Sequence, residues 1–558
     1  MYIQLKHELF KSHIFNKIYT MSKSGGSSFI AIVTVFFFWG FLAASNGIFI
    51  PFCKTHFSLS QFQSQLIDSA FYGAYFIGSL LLYIFSLQLN SDIINKIGYK
   101  KTIVYGLLVS IIGGLCMIPA VNTGSFAFIL VAFFIIALGF SLQQTSANPL
   151  VLNIGDPSTG SHRLNFAGSI NSFGTTIGPI LISFVLFGKA MASAADKESA
   201  SITSINILYV ILAIAFGVAA LILNFTQIPK LKIEESDSAM KVLKAPLFFI
   251  IGTLVFLIGV FLYFGFTVMT TNQSQFLFLI SFALFLLVIT CILLLQYKKI
   301  KNEDRLETKP YPQVLLGMIA IFVYVGVEVS IQSNLGSLLK LPEFGGLQDS
   351  EISPFISLYW GSLMIGRWTG SIGAFQMKRS LNIILTIVIP FLALSLVLYM
   401  NHLSGAETSK FFTYGICVLL LILAFFMGQQ KPALTLMIFG TLGTLAMLLG
   451  LFTTGTLSVY SFLSGGLFCS IMWPCIFSLA TAGLGKYTSQ ASGFLIMMIL
   501  GGAFIPPMQG LLADKTNIHI SYIIPVFCFA FLAWYAFKIK GILKASGIDY
   551  DNAEQTQH

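Results

Sequence analysis

Charged residues are scarce in this chain. Only 9% of its 558 residues are Asp, Glu, Lys or Arg, whereas 56% are hydrophobic and the mean hydropathy is +0.86. A soluble domain is about 25% charged, and no water-soluble fold could hide so much apolar surface. The composition therefore excludes an ordinary soluble protein and predicts an all-α polytopic membrane protein.

Sequence motifs for metal or covalent chemistry are also lacking. The seven cysteines form no CxxC motif and no cluster with histidine, and most lie inside apolar segments. We interpret them as small core residues. The sequence has no HExxH motif, no Asp-rich motif and no Ser/His/Asp set in its short loops. We therefore expect no enzyme activity, no metal and no cofactor.

Apolar runs long enough to cross a bilayer recur along the whole chain. A spanning helix needs about 20 apolar residues, and by this measure the sequence predicts about sixteen transmembrane helices. They are placed at 28–51, 64–88, 102–120, 126–150, 164–188, 204–227, 245–268, 275–297, 313–335, 354–375, 381–400, 411–428, 432–452, 457–483, 489–513 and 519–538.

The basic residues are distributed unequally between alternate loops. Of the 31 Lys and Arg residues, 25 fall on the side of the N-terminus and the remaining 6 on the other side. Loops rich in Lys and Arg stay in the cytoplasm, so both termini are predicted to be cytoplasmic. Short basic loops also argue against a nucleic-acid partner, despite the net charge of +10. The polar, basic start lacks a cleavage site and is interpreted as a tail, with Met21 as an alternative first residue.

A weak internal repeat divides the chain into two halves. Asn148-Pro149 in the fourth span corresponds to Trp473-Pro474 near the C-terminus, and a basic link and a span rich in Gly and Pro follow each. Two similar six-helix halves are typical of transporters, with the substrate site where the halves meet. The helix pairs 245–297 and 381–428 are surplus to this scheme. Because they are nearly free of polar residues, we interpret them as lipid-facing or interface helices.

The predicted domains follow from this division. They are a cytoplasmic tail (1–27), a first six-helix bundle (28–230), an extra helix pair with cytoplasmic linkers (231–310), a second six-helix bundle with an extra pair at 381–428 (311–540), and a second cytoplasmic tail (541–558).

Ionisable residues inside the predicted spans are candidates for function. Tyr324, Glu328 and Gln332 recur every four residues, so they share one helix face. Burial favours the neutral form of a carboxyl group, which makes Glu328 a candidate proton carrier; a structural Glu bonded to a neighbouring hydroxyl is the alternative. Asp68 is a second candidate, or a carboxylate that reaches water. Arg367 is interpreted as a gating or topology residue.

Amide side chains are concentrated between Leu138 and Ile180. Gln144 and Asn148 share one helix face, and Trp39 and Asn46 share another in the first span. Amides and aromatic rings suit a polyhydroxylated ligand, whereas an anionic substrate would require a buried Arg or Lys in mid-membrane, which we do not expect here. Interhelical amide hydrogen bonds are the alternative. The candidate substrate-binding residues are Trp39, Asn46, Gln144, Asn148, Asn165, Asn171, Tyr324 and Gln332.

Long motifs in both halves are recognisable. They are FFFWGFLAASNGIFIP (36–51), FQSQLIDSAFYGAYFIGS (62–79), QTSANP (144–149), RLNFAGSINSFG (163–174) and LFCSIMWPCIFSL (467–479). These motifs resemble the fucose–galactose–hexuronate family of sugar:proton symporters, in the major facilitator superfamily. YVGVEVS (324–330) and GRWTGS (366–371) resemble its bacterial glucose/galactose transporter branch.

The resemblance implies two six-helix bundles that rock about a central sugar site in a bacterial inner membrane. The implied partners are a hexose (glucose or galactose, with fucose as a further option), a proton and the lipid bilayer, and a monomer is expected. Fucose-transporting members carry coupling acids at the positions of Gly47 and Gln144. Because this chain has neither acid, Glu328, with Asp68 behind it, is the best candidate for proton coupling. An uncoupled sugar facilitator and, in another class, a drug:proton antiporter are the alternatives.

Overall fold

The computed structural model describes residues 27–57, 61–154, 159–188, 201–228, 240–269, 273–375, 377–403, 406–428 and 431–548. Every predicted span coincides with a helix or with two successive short helices. Thirteen helices among these residues are long and apolar enough to cross a membrane. This number is lower than the sixteen predicted, because two helices are only partly described and a third, at 349–370, is rich in Ser, Gly and charged residues.

The first half of the chain forms a bundle of long helices. Ser125 and Ser201 each begin a helix by accepting a hydrogen bond from a backbone N–H group of its first turn. The elements are α1 (Ser27–His56), α2 (Gln61–Gln88), the short α3 (Ile93–Ile97), α4 (Tyr99–Asn122), α5 (Phe126–Asn153), α6 (Gly160–Phe187) and α7 (Ile202–Phe225).

A helical hairpin connects the two halves. It consists of β1 (Val242–Leu243), α8 (Lys244–Val268), α9 (Gln273–Asn302) and β2 (Leu306–Glu307). The two strands pair in parallel and so join the ends of the hairpin. Only 22% of the apolar stretch of α8 is buried, compared with 94% in the segment Gly455–Thr481. The low burial agrees with the predicted lipid-facing position of this pair.

The second half contains helices that are more often interrupted. The elements are α10 (Pro312–Leu339), α11 (Asp349–Gly370), α12 (Arg379–Leu403), α13 (Gly415–Gly428), α14 (Pro432–Phe452), α15 (Gly455–Cys469), α16 (Met472–Thr481), α17 (Thr488–Met497), α18 (Gly501–Lys515), α19 (Ile518–Ser521) and α20 (Ile523–Ala545). The predicted span 457–483 is thus broken between α15 and α16. The break precedes Pro474, which has no N–H group to donate to the preceding helical turn.

The two halves repeat the same packing. In the first half α4 packs against α5 and α7, and in the second α14 packs against α15 and α20. Gly174 allows α6 to cross α1 closely, because a Cβ atom there would overlap with the backbone oxygen of Phe37. Gly501 has the same role where α18 crosses α10 at Phe322. The helices α12 and α13 fall outside this repeat and form the second extra pair.

Several loops meet at one end of the bundle, which we call the basic side because the sequence places most Lys and Arg in its loops. The backbone N–H of Met240 donates to the oxygen of Asn90 at 3.3 Å. The Ser489 hydroxyl donates to the Asp92 carboxylate, and Asn95 donates to the oxygen of Lys486 at 3.4 Å. The two halves and the connecting hairpin are therefore in contact at this end.

Candidate functional site

An ion pair links α10 and α11 inside the second half. Nη2 of Arg367 lies 3.2 Å from Oε1 of Glu328, and the two side chains are only 13% and 12% exposed. A charged group in a membrane interior is costly unless it is paired. The pair therefore satisfies both charges and fixes the position of Glu328.

Arg367 also reaches the first half of the protein. Its Nη1 donates to the Ser172 hydroxyl of α6 at 3.0 Å, and its aliphatic part lies against Gly168 of the same helix. Its Nε donates to the backbone oxygen of Ser470 at 3.3 Å. Since a guanidinium group has five N–H donors in a fixed plane, Arg367 can hold Glu328 and Ser172 at once. It is thus a direct polar connection between the halves.

This connection between the halves was not predicted from the sequence. Arg367 lies in the last turn of α11, but its side chain is largely buried within the protein and paired with Glu328, which the sequence did not predict. The signal that could have found it is the adjacent Gly366. A Cβ atom at Gly366 would overlap with the Ser470 side chain, so only glycine lets α11 approach closely enough for Arg367 to reach its partners.

Of the three polar residues predicted to share a face of α10, only Tyr324 and Glu328 contact Arg367. The Tyr324 hydroxyl accepts from Nη2 of Arg367 at 3.4 Å, and its ring centre lies 6.4 Å from that of Trp473. Gln332 is half-buried, and its amide donates to the neighbouring Ser333 hydroxyl at 3.2 Å. Tyr324 and Glu328 therefore share one cluster, whereas Gln332 bonds locally.

A second polar group lies on α5, where this helix contacts the second half. Nε2 of Gln144 donates to the Tyr75 hydroxyl at 3.0 Å. Nδ2 of Asn148 donates to the Gln144 backbone oxygen at 3.0 Å, and its buried Oδ1 has no hydrogen-bond partner among the described residues. The Ser492 hydroxyl of α17 donates to the Thr145 backbone oxygen at 2.8 Å. This turn of α5 thus carries polar groups at the boundary between the halves.

Two of the predicted site residues hold helices of the first half together. Nε1 of Trp39 donates to Gln143 at 2.7 Å, and Gln143 donates onward to the Ser110 hydroxyl at 3.0 Å. Nδ2 of Asn171 donates to the Phe36 backbone oxygen at 3.1 Å. These bonds fit the structural alternative of interhelical hydrogen bonding.

The remaining candidates lie elsewhere. Asn165 is 4% exposed and lines a cavity of about 300 Å³ at the basic side, where Gly370 of α11 contacts its side chain. The side chains of Asn46 and Asp68 lie outside the described part of the structure. Within the residues that are described, no group of three or more His, Cys, Asp or Glu side chains could hold a metal ion.

Comparisons with known proteins agree with this architecture. The sequence profile of the Major Facilitator Superfamily matches residues 28–327. The glucose/galactose transporter of Brucella abortus biovar 1 (strain 9-941) is 30% identical over 513 residues, which cover 92% of this chain and 94% of that protein. The L-fucose-proton symporter of Escherichia coli (strain K12) is 24% identical over 528 residues, covering 91% and 92%.

A solved structure shows the same fold. The transporter FucP in its outward conformation has a TM-score of 0.61 and 23% identity, over 92% of this chain and 98% of FucP. The chain belongs to the major facilitator superfamily. The predicted fold of two six-helix bundles with extra helices, and the predicted family, are confirmed.

Proposed function

We propose that this protein is a secondary active transporter that takes up a hexose together with a proton. The observation that carries the proposal is the buried Glu328–Arg367 pair, which touches Ser172 of the other half. The names of the relatives, glucose/galactose transporter and L-fucose-proton symporter, indicate the substrate class. Glucose or galactose is the first expectation, because the relative with the higher identity bears that name.

Protonation of Glu328 is the proposed coupling step. The carboxylate accepts a proton on Oε and becomes neutral, so its attraction to Arg367 falls to that of an ordinary hydrogen bond. Arg367 is then free to leave its present partners, one of which is Ser172 of α6. Because the same guanidinium bonds both Glu328 and the opposite half, the charge of Glu328 controls how strongly the halves are held together. Proton binding is thereby linked to the alternation of access.

The sugar is proposed to bind between α5 and the Glu328 cluster. Gln144 and Asn148 offer amide groups to hydroxyls, and the free Oδ1 of Asn148 can accept one more hydrogen bond. Tyr324 and Trp473 offer aromatic faces for the C–H surface of a sugar ring. Trp39 and Asn171 are proposed to support this wall from behind, through the bonds that they make within the first half. Asn46, Asp68 and Gln332 stay candidates, whereas Asn165 is assigned below to another cavity.

The test is uptake into proteoliposomes with labelled glucose, galactose and fucose, with and without an imposed pH gradient. The wild type should concentrate one of these sugars only when the gradient is present. Glu328→Gln keeps the shape of the side chain but cannot exchange a proton, so uptake should continue only to the outside concentration. Glu343→Gln, in an exposed turn, is the matched control and should still concentrate sugar. Unchanged concentrative uptake by Glu328→Gln would exclude this residue as the proton carrier.

The proposed setting is the inner membrane of a bacterium, with the basic side toward the cytoplasm and the protein acting as a monomer. The excess of Lys and Arg in the loops of that side supports the orientation. A protease recognition site is added to the C-terminal tail, and the protease is supplied from outside. The site should be cut in inverted membrane vesicles, where the cytoplasmic side faces the protease, and should stay intact in cells. The reverse result would invert the orientation.

A further inference from the structure

One cavity lies away from the proposed sugar site. It encloses about 300 Å³ at the basic side, between α6 of the first half, the end of α11, and α12, α13 and α14. Thr369 and Gly370, at the end of α11 just after Arg367, form one part of its wall. Phe425 and Phe426 of α13, in the second extra helix pair, form another part. The helices α12 and α13 therefore supply one wall of the cavity.

Three helices begin at this cavity. Ser161 and His162 lie in the first turn of α6, Arg379 and Asn382 in the first turn of α12, and Pro432 opens α14; all five residues line the cavity. The N-terminus of a helix carries a partial positive charge and free N–H groups. Three such ends around one cavity produce a positive potential and favour an anion.

Two of the polar side chains that line the cavity, Asn165 and Arg379, have N–H donors without partners among the described residues. Asn165 is 4% exposed, and its amide nitrogen makes no hydrogen bond to any described residue, whereas its Oδ1 is a buried acceptor that also has no partner. Arg379 likewise makes no hydrogen bond or ion pair within the described part of the chain. Nδ1 of His162 lies 3.1 Å from the Gly370 backbone oxygen, to which it donates. None of the lining residues carries a carboxylate. Unpaired donors, one of them a guanidinium, suit a phosphate group.

One wall of the cavity is apolar and opens toward the lipid. Ile383 and Phe426 line it and are 42% and 41% exposed on the outer surface of the helix bundle. In a membrane-spanning segment, that surface faces acyl chains. The occupant should therefore combine an anionic group with an apolar chain.

We propose that this cavity binds the phosphate headgroup of an anionic phospholipid, with its acyl chains lying along α12 and α13. Arg379 and Asn165 would donate to the phosphate oxygens, and the three helix ends would stabilise its charge. The lipid would contact the first half, the second half and the extra helix pair at once. The proposal gives the extra pair a binding role and does not depend on which sugar is transported.

The test measures lipids retained by the purified full-length protein in native mass spectrometry. After delipidation, phosphatidylglycerol and phosphatidylcholine of equal chain length are added in turn. The wild type should retain one phosphatidylglycerol under conditions that remove phosphatidylcholine. Arg379→Gln should lower this preference about fivefold, the effect expected for one basic residue at an anionic lipid surface. Lys378→Gln is the matched control and should keep the preference, because Lys378 is exposed like Arg379 but does not line the cavity.

A second variant and a soluble probe complete the experiment. Asn165→Asp places a negative charge among the donors and should abolish the preference. Equal retention of both lipids by the wild type, or equal loss in Arg379→Gln and Lys378→Gln, would overturn the proposal. Glycerol 1-phosphate is tested in parallel by thermal stabilisation. If it protects the wild type as well as phosphatidylglycerol does, and fails with Arg379→Gln, the occupant is a soluble phosphate ester and the lipid assignment is wrong.

Discussion

At the scale of single residues, the most informative feature is that Arg367 has partners in both halves. Glu328 neutralises its charge, while Ser172 of α6 accepts one of its N–H groups. Burying either charge alone would be strongly unfavourable. The pair is therefore a stability element of the closed basic side as well as the proposed coupling element.

A double-mutant cycle on this pair tests both roles. Arg367→Met leaves Glu328 buried and unpaired, and should destabilise the detergent-solubilised protein by about 3–5 kcal/mol. The double variant Glu328→Gln/Arg367→Met removes both charges and should recover much of that loss. The measurement is the free energy of unfolding from denaturant titrations. Equal instability of the single and double variants would mean that the two side chains are not coupled.

The sequence predicts which residues of this site share a helix face, but it does not predict which residues of other helices they contact. The spacing of Tyr324 and Glu328 shows that they share a helix face, because helix geometry fixes it. The spacing does not show which helix faces them, and Arg367 lies 39 residues from Glu328. The same limit applies to Trp39: its face on α1 was predictable, but its bond to Gln143 depends on how α1 and α5 pack.

At the scale of helices, close crossings hold each half together. Gly501 of α18 lies directly against the Phe322 backbone, whereas a Cβ atom at Gly510 of the same helix would meet nothing within 4 Å. Adding a methyl group at a closed crossing forces the helices apart, while an open helical glycine gains stability when replaced by alanine. The two positions are thus a matched pair.

Gly501→Ala should destabilise the protein by at least about 1–3 kcal/mol, and Gly510→Ala should be neutral or stabilise it by up to about 1 kcal/mol. The midpoint of thermal unfolding in detergent, with the folded yield after size-exclusion chromatography, measures both effects. Similar behaviour of the two variants would show that α18 and α10 do not cross as closely as described.

Helix positions were largely predictable, because long apolar runs define them, and each predicted span coincides with helical structure. The breaks within the predicted spans were not predictable, because they depend on local packing. The span 489–513 contains a 3-10 turn at Met498–Leu500 between α17 and α18, directly before the Gly501 crossing. Likewise, β1 and β2 contain only two residues each, too few for any alternating pattern to be visible.

The loop before α3 offers a pH-dependent test. Oδ1 of Asp92 caps α3 by accepting from the N–H groups of Ile94 and Asn95 at 3.0 and 3.1 Å, and Ser489 of the other half donates to Oδ2. Burial raises the pKa of Asp92 above its ordinary value of 3.8, although these hydrogen bonds oppose the change. Its contribution to stability is therefore complete below pH 3.8 and is lost as the pH rises through the raised pKa.

Asp92→Asn keeps Oδ1 for the two capping hydrogen bonds and removes the buried charge. Its amide nitrogen replaces Oδ2 and can donate to the Ser489 hydroxyl, which then accepts instead of donating. At neutral pH this variant should be more stable than the wild type, and its stability should vary less with pH above 4. Thermal unfolding between pH 4 and pH 8 measures both properties. If the variant retains the pH dependence of the wild type, another group is responsible for it.

At the scale of the whole molecule, the described contacts between the halves lie on two sides of the interface. On one side α6 meets α11, where Trp368 donates to the Ser169 oxygen at 3.2 Å. On the other, the ring of Tyr83 lies 4.9 Å from that of Phe494. Together with the contacts of Asp92 and Asn95, these seal the basic side. Transport requires that this end open, and rocking of rigid halves predicts that contacts within each half survive while those between the halves separate.

Spin labels can separate these two kinds of contact. In a variant without the seven native cysteines that still takes up sugar, one pair of labels is placed at Asn95 and Lys486, which touch across the halves. A control pair is placed at Lys100 and Asn224, which touch within the first half. Sugar at low pH should add a population with a longer distance to the first pair, because the protonated Glu328 no longer holds Arg367. The control pair should keep a single distance, and a change in both pairs would mean that the first half deforms rather than moving as a rigid body.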